Sequence, residues 1–533
     1  MLYSLRLWML TACLLLIAGV AYAQSANPAV AQPLSVQDYE TIAKYRQEAA
    51  ALVQEQSELS WKRRTTGEKV DIAATYKGHE NLFSMATVDL LQRAGAAASN
   101  ADQRKALEYF RDYVLSEMVK MRVAALDDEI SNYLASAEFT YAGKTYQYYQ
   151  QRELLQNETE YGQRQVVSDS VLPILRKANE LYRTKEERMR RLAKELGFAD
   201  YSALAEQLRH VNLEQFAAVC ERLLKETQGD YLNLQRWAGP FQLGFPAEKL
   251  RRCDLPRLFK NIRFDKYFGK DEMVPRLKQW LADLGLSMDK IKIDAEDRPK
   301  KNPRAACYPI SVPADVRLTI KPAGGQGDYT AFWHEMGHAL HFSYTATPVW
   351  EFQQLGDNVT TETYAFLFDS MLGNRFYTQH YLALKDPDLV NETRYNAYIK
   401  MYLVRRYCAK VLYELELHRG GADPNQRYRQ LLGRAYAIEL DENDGLRYLE
   451  DVDDFFYSAD YMRAWITEAM LRNRLQEQFS DEWYLRREAG AYLAELWKTG
   501  QFYGGDELVR HLGYEGLDPK YLTAQMKQSV KKK

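Results

Sequence analysis

Apolar residues recur every three or four positions along most of this chain, with charged residues between them. The pattern is clearest over residues 35–60, 103–135 and 171–196, and it returns over 395–418, 424–438, 458–479 and 488–499. This spacing places the apolar side chains on one face of an α-helix. The pattern therefore predicts a mostly α-helical protein, and no repeat of fixed period is present.

Two segments depart from the helical pattern. Tyr and Thr cluster over residues 139–149 around Ala142-Gly143-Lys144, which predicts a small hairpin or an irregular arm. Residues 316–320 alternate like a strand, and the Gly/Pro-rich residues 321–327 then predict a loop before a helix capped by Asp328. Such a strand is able to hold an extended peptide through backbone hydrogen bonds, although an ordinary strand-loop-helix connection fits the residues equally well.

An H-E-x-x-H motif occupies residues 334–338 of that predicted helix. Residues four apart share a helix face, so His334 and His338 are able to bind one zinc ion. Glu335 follows the first histidine, where its carboxylate is able to accept a proton from zinc-bound water. A pair of surface histidines is the alternative, but Trp333 and Leu340 make the surroundings apolar, and buried imidazoles need a partner.

A catalytic zinc ion usually has three protein ligands and one open position. Residue 344 is Tyr and residue 341 is not Gly, which excludes the three-histidine metzincin pattern. The downstream acidic candidates are Glu351, expected in a connection, Asp357, expected to cap a helix, and Glu362. We choose Glu362, because a carboxylate within the apolar helical segment 361–369 needs a charge partner. Asp369 either orients a ligand or serves as a cap or surface residue.

The octapeptide at residues 334–341, H-E-M-G-H-A-L-H, with a glutamate 28 residues beyond His334, resembles the M3 zinc peptidases of the thimet oligopeptidase and oligoendopeptidase F type. In that family the histidine at the position of His341 is not a metal ligand. Residues 298–313 and, more weakly, 196–201 also resemble the family, and the likeness covers roughly residues 190–500. The related M2 family of angiotensin-converting enzyme shares the Met-Gly pair and the glutamate spacing, so an M2-like dipeptide-releasing carboxypeptidase is the alternative.

The resemblance implies a mostly α, two-lobed helical zincin (gluzincin) peptidase with a deep central channel and a small β-sheet beside the zinc helix. The expected regions are a signal peptide at 1–23, a linker at 24–34, an N-terminal helical lobe at 35–200 and a zinc peptidase catalytic region at 201–533. One Zn2+ per chain would be held by His334, His338 and Glu362. Glu335 would take a proton from water and deliver it to the leaving amine of a short peptide.

The segment 453–465 resembles the part of the family that supplies tyrosines to the active site. Tyr457 and Tyr461 match two of those tyrosines and share a helix face, so either would donate to an oxyanion, or both would pack in the core. The third tyrosine position holds Ala464, and Arg463 either assists or pairs with Glu468. This departure leaves open a zinc-binding protein of this fold with little or no turnover.

The N-terminus has the features of a secretory signal: Arg6, an apolar run over 7–20, and Ala21-Tyr22-Ala23 before Gln24. We therefore expect an exported protein, periplasmic or extracellular, with no stable membrane insertion after cleavage. The net charge of −2 and the lack of a basic stripe argue against a nucleic-acid partner, and we expect a monomer.

Four cysteines would remain after cleavage. They are too sparse for a disulfide scaffold and have no C-x-x-C spacing, and their redox state stays open: Cys220, Cys253, Cys307 and Cys408.

Overall fold

Helices form most of the regular structure, as the hydrophobic spacing predicts. The structure is a computed structural model that describes residues 34–421 and 423–531. The first part of the chain contains α1 (Val36–Thr66), α2 (Met85–Ala97), α3 (Ala101–Ser136), α4 (Gln151–Asn157), α5 (Tyr161–Asp169), α6 (Leu172–Glu195), α7 (Tyr201–Arg209) and α8 (Leu213–Leu243). The predicted signal peptide and residues 24–33 of the predicted linker lie outside the described residues.

The remaining helices follow from residue 255 onward. They are α9 (Leu255–Leu258), α10 (Met273–Asp283), α11 (Gln326–Tyr344), α12 (Trp350–Gln354), α13 (Asn358–Asp369), α14 (Arg375–Leu382), α15 (Asp388–His418), α16 (Pro424–Tyr436), α17 (Glu442–Gly445), α18 (Tyr457–Phe479), α19 (Arg487–Trp497), α20 (Gly505–His511) and α21 (Lys520–Lys531). Short 3₁₀ helices occupy Ala73–Tyr76, Tyr148–Gln150, Ala247–Lys249, Arg252–Asp254, Ile262–Tyr267, Lys270–Glu272, Ser370–Gly373, Asp454–Phe456 and Trp483–Leu485.

Each of the seven segments with helical spacing lies mainly within one helix, so those predictions are confirmed. The segments correspond to α1, α3, α6, α15, α16, α18 and α19. Among the residues that the structure describes, no helix combines the length and the apolar character needed to cross a bilayer.

Within the described residues, five strands form two small sheets. Strands β1 (Glu138–Tyr141) and β2 (Lys144–Gln147) make the predicted hairpin. Its two-residue turn has Ala142 at φ 49° and Gly143 at φ 73°, the left-handed conformations that tight hairpins require. The second sheet contains β3 (Ile291–Asp294), β4 (Ala306–Ser311) and β5 (Asp315–Thr319) in the order β3-β5-β4.

Strand β5 contains most of the segment in which the sequence predicts a strand, but it is the central strand of its sheet. It pairs in parallel with β3 on one side and antiparallel with β4 on the other, so that Val316 lies opposite both Ile291 and Pro309. Its backbone groups are therefore already used, and the prediction that this strand holds an extended peptide is wrong.

The start of α11 also differs from the prediction. Gly325, at φ 89°, is the N-cap, and the side chain of Asp328 lies inside the first turn. The Asp328 carboxylate accepts hydrogen bonds from the backbone N–H groups of Ala323 and Gly324, at 2.7 and 2.9 Å. The glycine conformation sets the helix start, and Asp328 instead fixes the preceding loop.

The helices pack around two large hydrophobic cores. The first core joins α1–α3, α6–α8, α15, α16 and α18, and it contains residues on both sides of position 200, such as Leu192 and Leu204. The second core surrounds the three-stranded sheet and includes α10, α11, α14 and α19. The division at residue 200 stays a prediction, and buried apolar packing crosses it.

Helix α13 contributes to both cores. Val359 and Phe366 belong to the first core, whereas Tyr364 and Leu367 belong to the second. Apolar side chains therefore surround this short helix on opposite sides, which fixes the position of every polar group that it carries.

Helices α11 and α13 are in close backbone contact at Gly337. A Cβ atom at this position would lie 2.6 Å from the Cα of Ala365 and 2.6 Å from the carbonyl oxygen of Tyr364. Both of these atoms belong to the backbone, so a small rotation of a side chain would not relieve the contact. The separation of the two helices depends on a residue without a side chain.

We expect Gly337→Ala to lower the free energy of unfolding by about 1–3 kcal/mol, because overpacking at this contact forces the two helix backbones apart. Urea denaturation in the presence of a chelator measures this loss without a contribution from a bound metal.

The matched control is Gly229→Ala, in the exposed interior of α8, where no atom lies within 4 Å of the new Cβ. There we expect no loss, or a gain of up to about 1 kcal/mol from helix propensity. Equal stabilities for Gly337→Ala and the unmodified chain would show that α11 and α13 are able to accommodate a methyl group at this contact.

Candidate metal centre

His334 and His338 lie on one face of α11, as their spacing predicts. Their ring centroids are 4.9 Å apart, and the ring planes are inclined at 83°. Buried apolar residues on the same helix, among them Trp333 and Leu340, pack into the second core. The two imidazoles are therefore held at the edge of a rigid apolar layer.

Glu362, on α13, lies beside both imidazole rings. Its Oε2 atom lies 3.4 Å from Nε2 of His334 and 3.7 Å from Nε2 of His338. Bonds of about 2.0–2.2 Å to a tetrahedral zinc ion separate any two ligand atoms by about 3.3–3.6 Å. The three side chains that the sequence predicts as ligands are thus brought together at a spacing that suits one zinc ion.

One oxygen of Glu362 has no hydrogen-bond partner. The residue is buried, Oε1 accepts a hydrogen bond from the Tyr457 hydroxyl at 2.8 Å, and Oε2 accepts none from the described residues. A buried carboxylate oxygen without a donor is unfavourable unless a cation lies beside it. This atom, which within the described residues lies beside two imidazoles and accepts no hydrogen bond, fits a divalent metal ion.

Contacts behind the cluster orient both imidazoles. Nδ1 of His334 lies 3.0 Å from Oδ2 of Asp369, and Nδ1 of His338 lies 2.8 Å from Oγ1 of Thr361. Both contacts occupy Nδ1 and leave Nε2 facing Glu362, which is the arrangement that metal-binding histidines use. The predicted orienting role of Asp369 therefore has a structural basis, and α13 supplies Thr361, Glu362 and Asp369 together.

Burial and the neighbouring carboxylates set the charges of the cluster. Burial acts to lower the pKa of His334, but contacts with Asp369 and Glu362 outweigh it and raise that pKa well above its ordinary value. Burial lowers the pKa of His338, which favours the neutral imidazole. Burial acts to raise the pKa of Glu362, but the two histidines and Tyr457 lower it. The metal-free cluster therefore contains an ion pair between protonated His334 and the Glu362 carboxylate. A metal ion is able to take the place of the proton.

The three-stranded sheet positions Glu335. The backbone N–H of Cys307, on β4, donates a hydrogen bond of 2.7 Å to Oε2 of Glu335. This contact fixes the orientation of the Glu335 carboxylate. No pattern in the sequence indicates this partner, because the donor is a main-chain group and carries no side-chain signature.

The two predicted tyrosines lie on α18 and have different surroundings. The hydroxyl of Tyr457 donates to Glu362, so this residue positions a ligand. Tyr461 lines the adjoining cavity, and its hydroxyl has no hydrogen-bond partner within the described part of the chain. Burial raises the pKa of both phenols above the ordinary value, so both remain donors at neutral pH.

Two further predictions are corrected by the structure. Glu351 lies in α12 instead of a connection, and its buried carboxylate pairs with Nε of Arg46 at 2.6 Å. Arg463 contacts Asp357 at 3.4 Å, and Glu468 pairs with another arginine, Arg472. Arg463 and Glu468 are not paired, because Arg463 contacts the capping residue of α13 whereas Glu468 pairs within α18.

Two other residues behave as the sequence predicts. Asp357 caps α13, since its Oδ1 accepts a hydrogen bond of 2.9 Å from the N–H of Val359. His341 lies away from the ligand cluster, buried with its ring centroid 4.9 Å from that of Tyr364.

A cavity of about 870 Å³ adjoins the cluster. His334, Glu335 and Tyr461 form part of its wall, and residues of α4, α9 and α15 form much of the remainder. The candidate base and the unpartnered phenol therefore face the same space as one of the predicted metal ligands. This volume is able to accommodate several residues of an extended peptide.

A second group of possible ligands was not found from the sequence. Donor atoms of Glu108, Asp112 and His210 lie within 4.8 Å of one another. Arg111 already contacts Asp112 at 2.9 Å and Glu108 at 3.6 Å. Because this guanidinium compensates both carboxylates, the group has less need of a metal ion than the cluster on α11 and α13.

No family model matches this chain, and no curated protein matches it. The resemblance to M3 and M2 peptidases therefore stays a hypothesis based on the motif residues, and the case for a function depends on the geometry.

We expect the protein to bind one equivalent of zinc, and we expect His338→Ala and Glu362→Gln each to weaken zinc binding at least about 100-fold by removing one of three ligands. Competition against a fluorescent zinc chelator measures the affinity. Adding zinc should also raise the melting temperature of the unmodified chain, because only the folded state assembles the site.

The matched control is His380→Ala, which removes an exposed histidine on α14 outside the cluster. Its zinc affinity should equal that of the unmodified chain. Undiminished zinc binding by Glu362→Gln would contradict the proposed ligand set.

Proposed function

We propose that this protein is a zinc-dependent metallopeptidase that hydrolyses short peptides. The observation that carries the proposal is the position of Glu335, beside a three-ligand cluster at the wall of a large cavity. Three protein ligands leave one coordination position open, as in catalytic zinc sites. A purely structural metal site has no use for an oriented carboxylate facing a cavity.

His334, His338 and Glu362 would hold the ion. A bound zinc ion would polarise a peptide carbonyl and lower the pKa of a water molecule, so that hydrolysis proceeds at neutral pH. Glu335 would accept the proton of the attacking water and pass it to the leaving amine. The Cys307 N–H would hold the Glu335 carboxylate in place during both transfers.

Tyr461 and Tyr457 would have two different roles in the mechanism. The unpartnered hydroxyl of Tyr461 would donate a hydrogen bond to the oxygen that becomes negative when water attacks the carbonyl. Tyr457 would keep Glu362 aligned through the hydrogen bond that it already makes. Tyr461 is thus the proposed catalytic tyrosine, and Tyr457 is a positioning residue.

The proposed fold is the two-lobed zincin arrangement, with the cavity as part of a channel between lobes. The sheet of β3, β4 and β5 lies against α11, as a zinc helix in such a fold requires. A cavity enclosed by helices favours short, unfolded peptides over folded proteins. Export to the periplasm or the extracellular space is part of the proposal and depends on residues 1–23.

A zinc-binding protein with little turnover is the second candidate, and Ala464 is the observation behind it. Ala464, on α18, is fully buried. Its carbonyl oxygen lies 3.5 Å from Oγ1 of Thr363, on α13. Ala464 therefore belongs to the core and does not line the cavity. Because this position does not face the cavity, its lack of a tyrosine favours the active peptidase over the protein with little turnover. Release of C-terminal dipeptides alone would identify the M2-like alternative.

We expect Glu335→Gln to lower kcat/KM for peptide hydrolysis by about 10²–10⁴-fold while zinc content stays the same, because an amide cannot accept the proton. Mass spectrometry of a mixed peptide library measures the loss of substrates and identifies the cleaved bonds.

Glu187→Gln, an exposed substitution on α6, is the control and should retain full activity. Chelation should abolish hydrolysis by the unmodified chain. Full activity in Glu335→Gln would refute the proposed proton transfer.

We expect Tyr461→Phe to lower kcat by about 10²–10³-fold with unchanged zinc affinity, because it removes an oxyanion donor. Tyr457→Phe should instead weaken zinc binding by about tenfold, because it removes the hydrogen bond that aligns Glu362. Steady-state kinetics at saturating zinc, together with chelator competition, separate these effects. Normal kcat in Tyr461→Phe would remove this residue from the proposed mechanism.

A further inference from the structure

Arg209, the last residue of α7, lies against the start of α18. Its Nε donates a hydrogen bond of 2.8 Å to the carbonyl oxygen of Phe455, and its Nη1 lies 2.9 Å from Oδ2 of Asp460. Its guanidinium also lies over the ring of Tyr457, 5.1 Å from the ring centroid. One side chain therefore contacts the turn before α18 and two residues in the first turn of that helix.

The turn that leads into α18 has an unusual backbone conformation. Phe455 and Phe456 have φ angles of 52° and 55°, in the left-handed region that residues with a side chain rarely adopt. Within the described residues, no side chain caps the N-terminus of α18. Such a conformation persists only where its surroundings hold it. Contacts from other parts of the chain to this turn therefore determine where α18 begins.

Both ends of α7 hold this turn. The hydroxyl of Tyr201, at the start of α7, accepts a hydrogen bond of 2.7 Å from the backbone N–H of Phe455. Arg209, at the other end of α7, donates to the carbonyl oxygen of the same residue. The buried ring of Tyr201 also packs against Phe455 and Phe456, with 5.7 and 6.3 Å between centroids. The N–H and the carbonyl group of Phe455 are thus both fixed by α7.

Tyr457 follows the turn directly and depends on it for its position. Its hydroxyl donates the hydrogen bond of 2.8 Å to Oε1 of Glu362. Its ring contacts the Arg209 guanidinium on α7 and the ring of Tyr461, whose centroid lies 4.9 Å away. The attraction between a guanidinium and an aromatic face favours this placement of the ring. A shift of the ring would lengthen the hydrogen bond to the predicted metal ligand.

The end of α7 is also connected to α13. Nη1 of Arg463 donates a hydrogen bond of 2.8 Å to the carbonyl oxygen of Arg209, and Nη2 of Arg463 lies 3.4 Å from Oδ2 of Asp357. Asp357 caps α13, the helix that carries Glu362. The end of α7 is therefore linked, directly or through Arg463, to both helices whose side chains meet in the Tyr457–Glu362 hydrogen bond.

We propose that Arg209 is a positioning residue of the metal centre. By holding the turn at Phe455 and the ring of Tyr457, it keeps the Tyr457 hydroxyl on Glu362 and so strengthens metal binding. The inference rests on the proposed function, since it concerns the same set of metal ligands. In the alternative role, the ion pair with Asp460 only stabilises the fold. The two roles differ in whether the effect of Arg209 passes through the Tyr457 hydroxyl.

A double-mutant cycle between Arg209→Ala and Tyr457→Phe distinguishes these roles. We expect Arg209→Ala to weaken zinc binding by about tenfold in the otherwise unmodified chain, because a ligand loses its orienting contact. In the Tyr457→Phe protein, the same substitution should change zinc affinity by less than about twofold, because the hydroxyl that Arg209 positions is already gone. Competition against a fluorescent zinc chelator measures all four affinities.

The stability of the metal-free protein should follow a different pattern. Arg209→Ala should lower it equally with and without the Tyr457 hydroxyl, because the contacts of Arg209 with Phe455 and Asp460 do not involve that group. Urea denaturation in the presence of a chelator measures this loss. Arg209→Lys keeps a cation but lacks the planar fork of donors, so we expect an intermediate zinc affinity. The cycle uses Arg209→Lys if Arg209→Ala does not fold.

The matched controls are Arg164→Ala and Arg164→Lys. Arg164, on α5, is a buried arginine that pairs with Asp254 at 2.6 Å. It also donates hydrogen bonds of 3.1 and 2.8 Å to the carbonyl oxygens of Glu158 and Thr159, and these partners lie outside α13 and α18. Both controls should lose stability in the metal-free state and keep the zinc affinity of the unmodified chain.

The outcomes separate this inference from the proposed function. Zinc affinity that stays unchanged in every folded Arg209 variant, or that falls equally with and without the Tyr457 hydroxyl, would overturn the inference alone, because the ligand set would still bind zinc. Absence of zinc binding by the unmodified chain would overturn the proposed function and this inference together.

Discussion

The candidate centre depends on the backbone contact between α11 and α13. Gly337 allows the two helices to approach closely enough for Glu362 to reach both His334 and His338. Both flanks of α13 are buried, in different hydrophobic cores, so the helix has little freedom to shift or rotate. The ligand geometry is therefore a consequence of apolar packing, and the polar contacts of Thr361 and Asp369 refine the orientation of the rings.

Much of the candidate centre was predictable because local spacing encodes it. The H-E-x-x-H motif places two candidate ligands on one helix face with a candidate base beside them, and a buried acid in an apolar segment indicates Glu362 as the third candidate. The seven helical segments follow from periodicity for the same reason. The comparisons add nothing to these predictions, so the peptidase assignment rests on the site itself.

Features set by distant or main-chain contacts were not predictable. The donor to Glu335 is the backbone of Cys307, and the central position of β5 depends on a parallel partner, β3, that comes earlier in the chain. Glu351 looked like a loop residue because its partner, Arg46, lies 305 positions away. The cationic residues of the cavity wall likewise come from separate helical regions, among them Arg152, Arg252 and Lys400, so no local window of sequence contains the pattern.

The acidic and basic parts of the cavity are complementary when a metal ion is present. Glu335, Glu362 and Asp369 together carry up to three negative charges, of which a protonated His334 compensates one when no metal ion is bound. A divalent ion adds two positive charges to the same cluster and compensates most of that field. Occupancy of the metal site would therefore determine how strongly this part of the cavity attracts an anionic group.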